Sequence, residues 1–350
     1  MRPGFAFLVT VLAVLSAAAV YKNIVRSSGN PNAAVPREII QLYAQWKQSH
    51  GKLYATPAEN NHRLQVFHSQ KQFIDKANTE YAENLFKRDG ITSDAPVFAL
   101  NGFADLTNEE FRVKFAGARV GQSDTMELTD PTTVFPQVEE STGLQQAGYD
   151  VRVRNQGACG SCWAFSAVAA YEKFYWDKTR SRVDFSQQEL VDCETGSFGC
   201  QGGYTFKALQ YIQGRNIALN SAYPYTGSKG ACRSVAKPAT KLQVATYYNY
   251  FAMQSAINFA NAASHASVMV YSAGKFRYIN SQGSFVDASL AGECSVTVDH
   301  LLNVVGQNSN TYLNILNSWG TGWGSGGAKM IKPCSGNLLW GGNGVIAWVQ

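Results

Sequence analysis

Cysteine is missing from the first 158 residues of this 350-residue chain; all seven lie between Cys159 and Cys334. Charge is sparse too. Asp, Glu, Lys and Arg make up 16% against 45% hydrophobic residues, which excludes a largely disordered chain. The formal charge is +5, with 14 basic and 13 acidic residues before Thr133 and 16 and 12 from there on. No basic run is dense enough to make nucleic acid the expected partner. Past residue 20 no uninterrupted apolar stretch is long enough to cross a bilayer. There is no Asn-x-Ser/Thr sequon, so N-glycan-dependent sorting is not expected, and no internal repeat or low-complexity tract. The length suits about two domains with a sizeable core.

At the start of the chain, Arg2 precedes an apolar run from Phe5 that closes on Ser16, Ala17, Ala18 and Ala19. A short positive start, an apolar middle and small residues at the end are the grammar of a cleaved signal peptide, expected over residues 1–19. The alternative, an uncleaved anchor, is weakened by the shortness of the run. In an oxidising compartment seven cysteines allow three bridges and leave one thiol over. That spare thiol is the first pointer to chemistry.

Residues 36–115 read as helical. Pro36 suits a first helical position, and Ile39, Ile40, Tyr43 and Trp46 follow at helical spacing until Gly51. Leu64, Phe67, Ile74 and Ala77 carry a second stripe between Glu59 and about Asn84, and Thr107 with Glu110 makes a capping box. Gly121 to Pro136 is polar and reads as an exposed linker. Beyond it lie most of the 31 glycines and six of the seven tryptophans. A helix is expected from Ser161 to about Asp177, a capping box at Ser186 and Glu189, and a helix from Tyr204 to Gln213 stopped by Gly214. Val268–Tyr271, Leu301–Val305 and Tyr312–Leu316 read as strands. A helix-rich half followed by a strand-rich half predicts an α+β protein with two lobes and a cleft between them.

The densest signal runs from Asn155 through Gln156, Cys159, Gly160 and Ser161 to Cys162 and Trp163. A cysteine is a good nucleophile as its thiolate, and a helix N-terminus or a nearby imidazolium lowers its pKa. Cys162 sits where the helix begins. A redox pair or half a zinc site is the competing reading of Cys159 and Cys162. No further Cys-x-x-Cys or His-x-x-x-His supplies zinc ligands, and the surroundings lack a thioredoxin-like βαβ pattern.

Cys-Gly-Ser-Cys-Trp resembles the nucleophile segment of papain-like cysteine proteases, in which the second cysteine attacks; by that resemblance the role falls to Cys162. Val298-Asp299-His300 is similar to the family's base segment and makes His300 the general base; His265 sits among Ala and Ser without a motif. Asn317-Ser318-Trp319-Gly320 resembles the asparagine segment. It implies that Asn317 orients the imidazole and that Trp319 shields that hydrogen bond. Gln156 matches the family's oxyanion glutamine. By resemblance Gly202 and Gly203 pair with substrate backbone. Tyr204, Phe206, Met269, Val298 and Leu301, with Leu338 or Leu339 at the floor, line an apolar pocket for the residue two before the scissile bond.

The same resemblance implies bridges Cys159–Cys200, Cys193–Cys232 and Cys294–Cys334, where sequence alone leaves fifteen connectivities for six cysteines. Glu59, Arg63, Phe67, Ile74 and Asn78 fit a cathepsin-L-like propeptide signature, with Gln70 replacing one Asn; Asn101, Phe103 and Asp105 fit its second motif, with Ala99 replacing Gly.

The implied whole is a papain-like fold, helical lobe plus β-barrel-like lobe, preceded by a helical inhibitory propeptide. Its domains are a signal peptide over 1–19, a propeptide over 20–132 and a peptidase over 133–350. The implied activity is that of an endopeptidase without metal or cofactor. Its partners would be protein and peptide substrates, its own propeptide and cystatin-type inhibitors, and it would be monomeric. It would travel the secretory pathway to a lysosome-like or vacuole-like compartment or the extracellular space. An exopeptidase lacks support, since no His-His insertion of the cathepsin B type lies between Cys200 and Cys232; a silent binding protein is disfavoured by the retained Gln156, Cys162, His300 and Asn317. Residues 118–130 are expected to run through the cleft against the substrate direction. Asp105, Glu109 and Glu110 are expected to dock the propeptide near neutral pH and release it in acid, with cleavage near residues 128–136. Val138-Glu139-Glu140-Ser141 and the tail from Leu338 to Gly344 depart from the family pattern.

Overall fold

The computed structural model describes residues 35–93, 95–119, 145–146, 149–238, 249–250, 266–270, 272–294, 298–308, 312–334 and 346–347. Outside them lie the expected signal peptide, the propeptide–peptidase boundary and cleavage region, the linker from Gly121 to Pro136, residues 138–141, His265 and the candidate floor residues Leu338 and Leu339. The chain divides into two compact units, one holding residues up to 75 with 104–106, the other 76–103 with everything from 107 on.

The first unit is built on α1 (Arg37–Ser49) and the N-terminal part of α2 (Pro57–Asp89). Tyr43 and Trp46 pack on Phe67 with ring centroids 5.2 and 5.1 Å apart, and all three are buried. Pro36 stands one residue earlier than expected, at the cap of α1 rather than inside it. Asp105 corrects an expectation: its carboxylate accepts from Lys52 Nζ (3.0 Å) and Tyr54 Oη (2.9 Å), and its carbonyl accepts from Arg63 (3.0 Å). It fastens this unit internally, because a buried carboxylate takes the nearest cation and donors.

In the second unit the C-terminal part of α2 extends to Asp89, past the expected end near Asn84. Contacts far along the chain hold that extension: Asn84 Nδ2 donates to Leu290 O (3.1 Å), and Arg88 donates to Asp287 (2.6 Å). Asn78 closes the following loop, accepting from Val97 N and Phe98 N and donating to Phe98 O. Helix α3 (Asn108–Phe115) begins on the expected capping box, with Glu110 N donating to Thr107 Oγ1 and Thr107 N to Glu110 Oε2. That carboxylate caps its own helix end.

Short strands β1 (Gln145–Gln146) and β2 (Tyr149–Asp150) precede α4 (Cys162–Thr179), α5 (Gln187–Cys193) and α6 (Thr205–Arg215). Helix α4 is buried almost all round from Cys162 to Tyr175, which explains its apolar composition on every face. Only half of the second expected capping box forms: Ser186 Oγ accepts from Glu189 N (3.0 Å). The Glu189 carboxylate goes instead to Ala218 N, Tyr211 Oη and Lys237 Nζ. Gly214 does not stop α6; Asn216 does, at a φ of 58° held by its side-chain bonds to Ile217 N and Pro238 O.

Strand β3 (Asn249–Tyr250) pairs with β9 (Ile346–Ala347). The main sheet comprises β4 (Ala266–Val270), β5 (Phe285–Asp287), β6 (His300–Asn308), β7 (Tyr312–Leu316) and β8 (Ala328–Lys332), in the order β4-β6-β7-β8-β5. All its pairs are antiparallel except β5 with β8. Helix α4 packs on β6, so the first turn of the helix meets the first residues of the strand. Disulfides join Cys159 to Cys200, Cys193 to Cys232 and Cys294 to Cys334, the implied pairing, and leave Cys162 free and buried.

Candidate active site

The loop before α4 is pinned at both ends. Gly157 takes a left-handed φ of 58°, with its N–H on Asn155 Oδ1, and Gln156 N donates to Ser318 O at 2.8 Å. The Gln156 side chain is fully buried and oriented by Ser318 Oγ, which donates to its Oε1 at 2.6 Å. Its Nε2 donates to Cys159 O (2.8 Å) and to Phe115 O (3.0 Å).

Cys162 opens α4, completely buried. Burial pushes its thiol pKa up to about 12, and the Asp299 charge adds to this; backbone hydrogen bonds from Leu301, Gly117 and Trp163 act against it. The thiol therefore faces the first residues of β6.

His300 is the first residue of β6 and is also fully buried. Its Nε2 lies 2.8 Å from Asn317 Oδ1; an amide oxygen only accepts, so Nε2 carries the proton and Nδ1 is left as the basic nitrogen. Burial holds the imidazole pKa down at about 4, against the opposing pull of Asn317. The Asn317 oxygen also accepts from Ser318 N (2.8 Å), which fixes the amide. Trp319 stacks on the His300 ring at 4.5 Å and 27° and covers the His300–Asn317 bond.

Gly203 binds main chain on both sides. Its N–H donates to Gly117 O (2.9 Å), its carbonyl accepts from Arg119 N (3.1 Å), and Ala118 lies parallel to it. A Cβ on Gly203 would stand 2.6 Å from the Trp163 ring and from Ser197 Cβ, so no other residue fits. Gly202 turns the chain at a φ of 104°, and its carbonyl accepts from Phe198 N. Of the expected pocket residues, Leu301 is buried and Val298 and Tyr204 are half-buried; Tyr204 rests on Phe206 at 5.6 Å. Met269 is described only as a backbone position of β4, paired with Leu301.

Ala118 and Arg119 begin the segment expected in the cleft; the contacts made by Gly117, Phe111, Phe115 and Arg277 were not anticipated from the sequence. Gly117 N and Ala118 N both donate to Asp299 O at 3.0 Å, and a Cβ on Gly117 would collide with the backbone of Gly160. Arg119 reaches Gln201 O (2.8 Å) and stacks over Phe198 (4.4 Å). Phe103 and Phe111 meet Trp319 edge-on at 5.4 and 5.3 Å, with Phe115 against both phenylalanines. Arg277 is buried, stacks on Phe111 (4.8 Å) and donates to Asn108 Oδ1 (2.8 Å). The only available signal was the aromatic spacing of Phe103, Phe111 and Phe115 and the small run Ala116-Gly117-Ala118.

Residues 140–337 match the papain family cysteine protease domain, and residues 43–111 the cathepsin propeptide inhibitor domain. The chain is 35% identical to papain of Carica papaya over 324 residues, 90% of this chain and 87% of papain. Among solved structures it is similar to the recombinant stem bromelain precursor, with TM-score 0.69, 26% identity, and coverage of 89% of this chain and 99% of that one. It is also similar to the cysteine protease CMS1MS2 of Carica candamarcensis in complex with E-64. There the TM-score is 0.52 and the identity 35%, over 61% of this chain and 98% of that one. The chain belongs to the papain family of cysteine proteases and is an endopeptidase carrying its inhibitory propeptide in front.

Proposed function

We propose that peptide hydrolysis runs through Cys162, His300, Asn317 and Gln156. Cys162 gives its thiol proton to His300 and attacks the scissile carbonyl carbon as its thiolate. The carbonyl oxygen, now an oxyanion, takes hydrogen bonds from Gln156 Nε2 and the Cys162 N–H. His300 passes a proton to the departing amine, leaving an acyl-enzyme. It then takes one from water, whose oxygen attacks the thioester and releases the acid and the thiol. Asn317 holds the ring by Nε2 and leaves Nδ1 without another partner, available to the sulfur. The observation that carries this reading is the 2.8 Å bond from His300 Nε2 to Asn317, beside the one cysteine outside the three bridges.

The precursor would be silent because its own backbone occupies the places substrate needs. Phe115 O sits on Gln156 Nε2, and residues 117–119 bracket Gly203. The proposed domains are the signal peptide over 1–19, the propeptide over 20–132 and the peptidase over 133–350. The family's preproenzymes enter the secretory pathway; a lysosome-like, vacuole-like or extracellular destination, a monomeric state and inhibition by cystatin-type proteins complete the proposal.

With Tyr204, Val298 and Leu301 as walls, the pocket two residues before the scissile bond should take Leu, Val or Phe. Arg there would bury a guanidinium without a carboxylate. An epoxide thiol reagent of the E-64 class, titrated against the processed enzyme, should label one equivalent at Cys162. Absence of label would overturn the catalytic assignment. Phe-Arg substrates should be cut faster than Arg-Arg ones at acidic pH; equal or faster Arg-Arg cleavage would overturn the apolar pocket.

A further inference from the structure

Tyr225 takes no part in the chemistry above, yet its hydroxyl joins Gln156 to Ser161, the residue before Cys162. It donates to the Gln156 carbonyl at 2.7 Å, which consumes its only proton. Ser161 Oγ lies 2.7 Å from the phenol oxygen and 3.4 Å from the Cys159 carbonyl, and the nearer phenol oxygen takes its proton. Phe165 holds the ring edge-on at 4.8 Å. Burial moves the phenol pKa up to about 12, so this proton stays in place through the working pH range.

Ser161 is the N-cap residue of α4. A serine there ordinarily turns its hydroxyl onto the N–H of the second or third helical residue. In this chain it makes no such bond. The N–H of the second helical residue, Trp163, reaches the Cys162 sulfur instead, and the Ala164 N–H goes to the Ser161 carbonyl. A hydroxyl cap would compete for the same N–H groups that favour a thiolate.

We propose that Tyr225 is a positioning residue of the peptidase: it withholds the Ser161 hydroxyl from the helix terminus, reserving the Trp163 N–H for the sulfur, and fixes Gln156 beside Cys162. The proposal rests on Cys162 and Gln156 acting as described above. The titratable groups whose charge bears on the sulfur are Asp299, just before β6, and Tyr225 itself, with His300 next after Asp299 in the chain; α4 carries no acidic residue in its first turn. Arg112, 3.7 Å from Asp299, belongs to the propeptide and leaves on activation.

The test compares mature enzymes processed from full-length precursors: wild type, Tyr225→Phe, and Tyr225→Phe with Ser161→Ala. Rates are normalised to thiol titrated by the epoxide, so a misfolded fraction drops out. Tyr225→Phe should lower kcat about tenfold with little change in KM, less than the ~10²–10³ that loss of an oxyanion donor costs. The acidic limb of kcat/KM should move to higher pH, because the freed serine takes an N–H from the thiolate. Removing that serine in the double variant should bring the limb back. An unshifted limb in Tyr225→Phe, or a double variant no better than the single one, would overturn the proposal. Wild-type enzyme that takes no label would overturn the assignment of Cys162 itself, and this proposal with it.

Discussion

The side-chain amide of Gln156 donates to the backbone carbonyl of Phe115 at 3.0 Å. One residue lies in the peptidase and the other in the propeptide helix. The amide that would hold a developing oxyanion thus already holds a carbonyl of the chain itself. From there the propeptide passes Gly160 and runs parallel to Gly203. Inhibition in this arrangement rests on main-chain groups of the propeptide bonded to Gln156 and Gly203.

The tightest point of that passage is Gly117, where any Cβ meets the backbone of Gly160. Backbone cannot swing aside as a side chain does, so Gly117→Ala must lift the segment off the cleft. The intact Gly117→Ala precursor should hydrolyse a small fluorogenic substrate at neutral pH at least about tenfold faster than the wild-type precursor, equivalent to about 1.4 kcal/mol of lost docking. Intactness is checked by electrophoresis alongside the assay, and equal rates would show that the close approach does not hold the segment.

Gln156 itself is fixed by Ser318 Oγ at 2.6 Å and by its own N–H on Ser318 O. Gln156→Ala in the processed enzyme should reduce kcat by ~10²–10³ and leave KM nearly unchanged, the signature of a bond made in the transition state. Ser318→Ala should lose less, because the amide keeps its bond to Cys159 O. Steady-state kinetics on one peptide substrate separates the two variants.

The four residues of the proposed chemistry were named from short runs that resemble the papain family's motifs, and the structure brings two of them, His300 and Asn317, into contact. Thr107 with Glu110 was legible because both halves of that capping box lie within one turn. Glu189 shows where such reading ends. Its spacing from Ser186 is right, but Ala218 N at 2.6 Å and Lys237 at 2.6 Å claim the carboxylate from outside the helix. Asp105 was misread likewise, since Lys52 and Tyr54 are distant in sequence. The need for glycine at 117 arises from Gly160, and no local pattern announces it.

Among ion pairs that secure the propeptide, Glu80 with Lys275 is 3.0 Å long and partly exposed. Hydrogen bonding to Lys275 lowers the Glu80 pKa below its ordinary 4.5. A lowered carboxylate pKa contributes docking that is complete above about 4.5 and is lost only as pH falls through the lowered value. Mild acid therefore leaves this pair intact. Glu80→Gln should speed processing modestly at pH 5 to 6, by no more than a few-fold given the ~0–1 kcal/mol of an exposed pair. The variant and wild type should converge in stronger acid. A gel time course at several pH values checks this, and a gap that widens in strong acid would reverse the sign.

His300 is expected to make opening of the precursor acid-sensitive. In the precursor its imidazole pKa is held at about 4 by burial. Opening the cleft returns the ring to water and toward its ordinary value near 6.5. The open form then binds the proton that the closed form refuses, so between about pH 6.5 and 4 each fall in pH favours opening. The full span is worth at most about 3 kcal/mol, at 1.36 kcal/mol per unit. Asp299 acts the other way just above its ordinary value, since burial raises its pKa in the closed form. The net drive is therefore expected between about pH 6.5 and 4, weakened toward the acid end by Asp299. A Cys162→Ala precursor, which cannot process itself, isolates this step. Its susceptibility to an added protease within the propeptide should rise steadily across that window. Adding His300→Gln, which has no proton to gain, should flatten the curve. An equally steep curve in the double variant would place the sensor on another group.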